Sequence, residues 1–283
     1  SSEHWGGVPI FALDPPYGST DEDFKYFAGE LKRMIKFLEE ISENKFDVDK
    51  LRVIVEEMNL QYGLWAEYNE LRRVTPCPHG SFQGSAPLWA MTQHLPSGDP
   101  RVTELIRMMI QDAEEKVKAG IGAAPNEQIR ILWADLAPQW GDLIGPWLAE
   151  EWGANVVMDF QGDSPYTPVD TTSEETMLFG LARRSLHEVP MIRQGRGTVE
   201  VLIEDMTRII KDYNINCVIW PGHMGHKDVA GSINFMQELC RDLGVPFLAL
   251  TTSLFDERYT PLDRVKQRMS EFFEATGWER IKS

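Results

Sequence analysis

Residues 221–228 read Pro-Gly-His-Met-Gly-His-Lys-Asp, which puts two imidazoles, an ammonium and a carboxylate in one short loop. His223 and His226 stand three residues apart, and a neutral imidazole is a common metal ligand. Lys227 offers a cation to an anionic ligand. Gly222 and Gly225 allow the backbone to turn tightly or to approach a bound group closely. The loop leads into a stretch of helical spacing, and a helix N-terminus is itself suited to an anion. The same residues also make an ordinary polar turn whose histidines only cap and hydrogen-bond. Both readings stay open at the level of sequence.

Other chemically capable residues carry weaker signals. Cys77, Cys217 and Cys240 lie far apart with no C-x-x-C. That pattern fits a reducing cytoplasm and excludes a self-contained four-cysteine metal site. Cys77, between two prolines, reads as a reactive or a buried structural thiol, the second being commoner. Cys217 in a strand-like run and Cys240 in a helical one read as core. Gly195-Arg196-Gly197 looks like a fragment of a phosphate loop, but no strand precedes it, so a linker is expected. Asp256-Glu257-Arg258 reads as a surface ion pair rather than a site carboxylate. His94 and His187 fall on helices and read as structural. The chain has no G-x-S-x-G, H-E-x-x-H, Walker or intact G-x-G-x-x-G motif.

Composition narrows the function classes. With 44 acidic against 28 basic residues the net charge is −16, a surface that repels phosphate backbones and disfavours nucleic acid as a partner. No apolar run approaches the ~20 residues that span a bilayer, so no membrane role is expected. No basic segment followed by an apolar one opens the chain, although it starts Ser1-Ser2-Glu3 without a methionine. Its length of 283 residues suits one large domain or two modest ones.

The elements that must position the loop follow from periodicity. Residues 7–13 read as a short buried strand. No other strand follows for about a hundred residues by period, so its sheet is expected to come from an absent N-terminal α/β domain, with 1–18 as that domain's last strand. A helical connecting region, 19–125, comes next. Its first helix is capped at 19–21, the second opens at Asp47 or Asp49, a short one lies near 86–94, and the last runs from Pro100 to Ala119. From residue 126 short apolar runs at 129–133, 154–158, 217–220 and 246–250 alternate with helical stretches at 142–151, 173–186, 198–213, 229–243 and 262–275. That alternation predicts an α/β fold, with a parallel sheet covered on both faces over 126–283. Open sheets of this kind bind ligands beyond the C-terminal ends of their strands. The loops concerned are 135–141, 159–168, 221–228 and 251–259.

The order of these features resembles the 2-hydroxyacyl-CoA dehydratase and benzoyl-CoA reductase family of anaerobic bacteria. The likeness runs from Val8-Pro-Ile-Phe to Gly277. Residues 8–13 are similar to the last strand of the family's N-terminal domain. Ile41-Ser-Glu-Asn-Lys-Phe-Asp47 is similar to a helix junction of the family, and 127–160 and 217–258 to its second, Rossmann-like α/β domain. The resemblance implies a heterodimer of related subunits around an oxygen-sensitive 4Fe-4S cluster, with an acyl-CoA substrate. It also implies an ATP-hydrolysing activator protein that injects one electron. In the dehydratases that electron makes a ketyl radical that expels the 2-hydroxyl; in the reductases the electrons stay in the product ring.

Two departures bear on the site. Where the family carries a cluster cysteine, in a Gly-Cys-Lys pattern, this chain has Gly225-His226-Lys227. Either His226 is a cluster ligand through its imidazole, or this subunit has lost its cluster and a partner carries it; cysteines of the absent N-terminal domain are the other expected ligands. Thr251 and Ser253 replace two acidic residues of the family's last loop, while Asp256 and Arg258 remain. The expectation is a dehydratase subunit with His226 toward the metal, His223 and Lys227 catalytic, and Gly222 and Gly225 shaping the cofactor side. A benzoyl-CoA reductase subunit and a non-catalytic scaffold or electron-transfer subunit are the alternatives. Flavin, used by some relatives, has no mark in the sequence.

Overall fold

The computed structural model describes residues 6–136, 144–163, 165–196, 199–223, 225, 230–253, 255–256 and 258–281. Capping chemistry sets the helix limits in the first half. Helix α1, Asp21–Ser42, opens on a capping box in which the Thr20 hydroxyl accepts the Asp23 N–H and the Asp23 carboxylate accepts that of Thr20. Asp47 caps α2, Val48–Leu71. Ser81–Gly84 (α3) and Ala86–Trp89 (α4) are single turns, the second continuing into a π-helical turn at Ala90–His94. Asp99 caps α5, Pro100–Ala119, which has proline in its first turn and stops at Gly120. The four expected helical stretches are therefore present at their expected places.

The segment expected as a strand over 7–13 has no regular secondary structure from residue 8 onward. Val8 and Ile10 are 58% and 54% exposed. A strand needs a neighbour for its backbone groups, and none of the described strands lies beside this one.

The second half forms one parallel sheet. Its strands are β1 (Ile129–Trp133), β2 (Ala154–Asp159), β3 (Cys217–Trp220) and β4 (Phe247–Ala249), in spatial order β2-β1-β3-β4. Helix α6 (Ile144–Trp152) joins β1 to β2. Helices α7 (Glu174–Arg183), α8 (Pro190–Arg196) and α9 (Val199–Asp212) lie between β2 and β3, and a π-helical turn at Arg184–Glu188 extends α7. Helix α10 (Ile233–Leu243) precedes β4, and α11 (Leu262–Ala275) follows it.

Alternation along each strand separates two cores. Ile129, Ile131, Trp133 and Ile219 face Leu148 and Trp152 of α6 and Met269 and Phe273 of α11. Leu132, Ala134, Val157 and Val218 face Met206 and Ile209 of α9 and Met236 of α10. Both faces are thus covered, as near-continuous apolar strands require. The helical region packs on itself through α2 and α5, around Trp65, Tyr68 and Ile106. It meets the second half where α1 lies against α7, burying Phe24, Ala28, Leu178 and Ala182.

Candidate functional site

The chain leaves β1 for β2 on one side and returns to β3 on the other, so strand order reverses between β1 and β3. A crevice at such a reversal is where open parallel sheets hold ligands. On the β1 side stands Asp135, buried, whose Oδ1 accepts the Leu136 N–H at 2.7 Å. The Trp133 indole N–H fixes the same turn by donating to the Leu136 carbonyl at 3.1 Å. On the β3 side stands the loop 221–225. The two sides are tied by the Ala134 N–H, which donates to the Ile219 carbonyl at 2.8 Å.

Gly222 is the hinge of the β3 side. Its φ of +63° is a conformation that side chains resist, and a Cβ there would sit 2.0 Å from the Leu250 carbonyl oxygen. This close approach brings the loop onto the end of β4. The Thr252 N–H donates to the Gly222 carbonyl at 3.3 Å, and the Thr252 hydroxyl to the Pro221 carbonyl at 2.9 Å. His223 then pairs with Thr252 in an isolated parallel bridge. Its ring meets Phe255 edge to face, centroids 6.5 Å apart at 88°. A Cβ on Gly225 would lie 2.8 Å from His223 Nε2, so a side chain there would make the ring shift. The structure thus brings Gly222, His223 and Gly225 together at the sheet edge. His226 and Lys227 lie outside the described residues.

A further cluster closes the end of β2, and sequence reading did not single it out. Asp159 accepts the backbone N–H groups of Gln161 and Gly162 at 2.8 and 2.7 Å, the Ser85 hydroxyl at 3.2 Å and the Ser81 hydroxyl. All of this carboxylate's acceptor capacity goes to holding the strand end against α3. Its two serine partners stand 78 and 74 positions away in the chain, and no local pattern announces them.

Other expected residues have structural roles. Cys77 is fully buried, its thiol donates to the His79 carbonyl at 3.1 Å, and burial pushes that thiol up. Burial pushes Cys217 well up and Cys240 to about 12. Metal binding by cysteine requires the thiolate, which none of these sites favours. Arg196 ends α8 and is not in a linker: its guanidinium donates to the carbonyls of Tyr17 and Gly18, each at 2.7 Å, and to the Ser19 hydroxyl at 2.9 Å. It clamps the N-terminal segment and offers nothing to a phosphate. Asp256 and Arg258 form the expected ion pair at 2.7 Å, which holds the carboxyl at about 2. His94, exposed, ends the π-helical turn at Ala90–His94, and His187 lies 3.3 Å from Arg193 on the turn after α7.

Among the described residues, no three His, Cys, Asp or Glu side chains converge on a metal position. The described part of the chain does not supply a ligand set for an iron–sulfur cluster. A cavity of about 850 Å³ opens along the free edge of β2, beside Phe82, Pro146 and Asn155. Glu150 is its one ionisable wall residue among those described, so size alone does not place chemistry there. No described helix is long and apolar enough to cross a membrane.

Residues 1–276 match the family model described as 2-hydroxyglutaryl-CoA dehydratase, D-component. The chain is also 23% identical over 282 residues to the (R)-2-hydroxyglutaryl-CoA dehydratase, subunit alpha, of Acidaminococcus fermentans. That alignment covers 95% of this chain and 55% of the relative. The chain therefore spans about half the length of the curated relative it matches.

Proposed function

We propose that this chain, which belongs to the 2-hydroxyglutaryl-CoA dehydratase D-component family, serves as a subunit of a dehydratase that removes water from a 2-hydroxyacyl-CoA. The observation that carries the reading is the family match over nearly all of the chain. The strand reversal between β1 and β3 supports it, because the backbone of His223 is held there by its bridge to Thr252 and its ring meets Phe255. In this reading the enzyme is a cytoplasmic lyase, and the chain works beside a related second subunit. An ATP-hydrolysing activator protein supplies the electron that starts the ketyl-radical chemistry.

The oxygen-sensitive 4Fe-4S cluster belongs to the same proposal, but the described residues do not build its site. What this chain contributes is therefore confined to its own groups. Gly222 and Gly225 shape the edge of the crevice. His223 presents an imidazole that exchanges a proton with the substrate. Lys227 meets an anionic group on the tail of the thioester, and His226 is proposed as one ligand from this chain to a cluster whose other ligands come from elsewhere in the complex.

The test is an anaerobic assay of the purified complex with activator, ATP and a low-potential reductant. A panel of 2-hydroxyacyl-CoA thioesters, (R)-2-hydroxyglutaryl-CoA among them, is expected to give the enoyl product without net consumption of reductant. A dearomatised product from benzoyl-CoA, with stoichiometric use of electrons and no water loss from the panel, would overturn the reading in favour of a reductase. Iron and activity both retained in His226→Ala would remove His226 as a ligand.

A further inference from the structure

A cavity of about 380 Å³ lies between the end of β4 and the first two turns of α11. Its polar walls are Thr251, Thr252, Tyr259, Thr260, Arg264 and Arg268. Arg264 and Arg268 stand four residues apart on α11, so both guanidinium groups project from one face, and both residues are exposed. Arg268 has a weak exposed pair with Glu271 at 3.5 Å. Among the described residues Arg264 has no hydrogen-bonded or ion-paired side-chain partner, although Asp263 precedes it. Asp256, on the loop before α11, is committed to Arg258. In a chain of net charge −16, two uncommitted or weakly committed arginines on one cavity wall make a local cationic patch that suits an anion from outside.

The remaining walls say what kind of anion. Tyr259 is 69% exposed and offers a ring face of the sort on which a nucleobase stacks. The Thr260 hydroxyl donates to the Thr251 carbonyl at 2.8 Å and so ties two walls of the cavity together. Guanidinium forks match phosphate oxygens two at a time. Thr252 joins this cavity to the crevice, because the residue that lines the cavity is also the bridge partner of His223. A ligand anchored by its phosphates at Arg264 and Arg268 can thus run along the end of β4 toward His223.

We infer that this cavity is a binding subsite for the phosphorylated nucleotide end of the thioester substrate, with Arg264 and Arg268 holding the phosphates and Tyr259 the base. The inference rests on the acyl-CoA reading for the identity of the ligand, but its test needs no turnover. Calorimetric titration of the protein with adenosine 3′,5′-bisphosphate should show saturable binding, and adenosine alone should show none. The double substitution Arg264→Gln with Arg268→Gln should weaken the bisphosphate about tenfold to a hundredfold. Arg241→Gln, which removes an exposed cation of α10, should leave binding unchanged. Binding of the bisphosphate by the double variant at wild-type affinity would overturn the subsite, as would absence of binding to the wild type.

Inorganic pyrophosphate separates the two possible sources of phosphate. If it binds as tightly as the bisphosphate, and Tyr259→Ala changes neither, the nucleotide assignment is refuted. In the active complex the double variant should raise KM for an acyl-CoA while leaving kcat close to wild type. The corresponding acyl-pantetheine thioester, which has no nucleotide, should be turned over equally by both. Calorimetric binding in a complex that fails every dehydratase assay would keep the subsite and discard the proposed reaction.

Discussion

Thr252 and His223 face each other across a single parallel bridge beyond the last regular pair of β3 and β4. The bridge extends the sheet far enough to fix a histidine at the mouth of the crevice. It depends on Gly222, which lets the chain pass within contact distance of the Leu250 carbonyl.

Gly222→Ala tests that dependence. The substitution places a Cβ 2.0 Å from the Leu250 oxygen in a backbone held at φ +63°. The backbone conformation alone costs about 1–3 kcal/mol for a residue with a side chain. Denaturant melts should show at least that loss, and activity should fall through displacement of His223. A variant as stable and active as the wild type would show that the bridge does not depend on this close approach.

Thr252→Val isolates the hydroxyl. Valine keeps the shape but removes the donor to the Pro221 carbonyl, which Thr252 meets at 2.9 Å in a buried setting. An unsatisfied buried acceptor costs about 1–3 kcal/mol, so the unfolding midpoint should drop while the circular dichroism of the native state stays the same. An unchanged midpoint would mean that the carbonyl finds another donor.

Asp159→Asn probes the end of β2. The carboxylate accepts four hydrogen bonds, two of them from backbone N–H groups. An amide nitrogen in place of one oxygen sets donor against donor at the backbone N–H groups, or, turned the other way, takes from both serine hydroxyls their charged acceptor. The expected cost is about 1–3 kcal/mol, read by equilibrium unfolding. Ser81→Ala should cost less, because it removes one donor and leaves the carboxylate its backbone partners. If both substitutions were neutral, the cluster would not be holding the strand end.

Protonation of His79 should weaken the fold in mild acid. Its Nδ1 lies 2.7 Å from the Tyr68 hydroxyl and its Nε2 lies 2.6 Å from Asp112, which also pairs with Lys116. A neutral ring with its proton on Nε2 satisfies both contacts. Burial holds its pKa below the ordinary 6.5, with Asp112 opposing and Lys116 and Arg72 assisting. The unfolded chain then binds the proton more readily than the native one. Stability is complete above the ordinary value and declines as pH falls below it toward the depressed folded value. Burial depresses His187 as well, in the same direction. Urea midpoints at about pH 7.5 and about pH 5.5 should differ, and the difference should shrink in His79→Gln. An undiminished difference in that variant would assign the effect to His187 and other groups.

The sequence by itself determined the repeating order of strands and helices and the loops that had to carry any site. Apolar period, capping residues such as Thr20, Asp47 and Asp99, and the proline and glycine at either end of α5 are local signals. Local backbone energetics suffices to read them, and β1, β3, α5 and α11 therefore fall on their expected residues. It also made Gly222, His223 and Gly225 visible, because residue types that turn and ligate were crowded into one loop. Tertiary structure decided what those residues meet. The contact of Gly222 with Leu250, the bridge from His223 to Thr252 and the hold of Ser81 and Ser85 on Asp159 join positions far apart in the chain, and no periodicity encodes them. The same holds for residues 8–13, whose apolar pattern asks for a strand, while only a neighbouring strand supplies the backbone partners that make one.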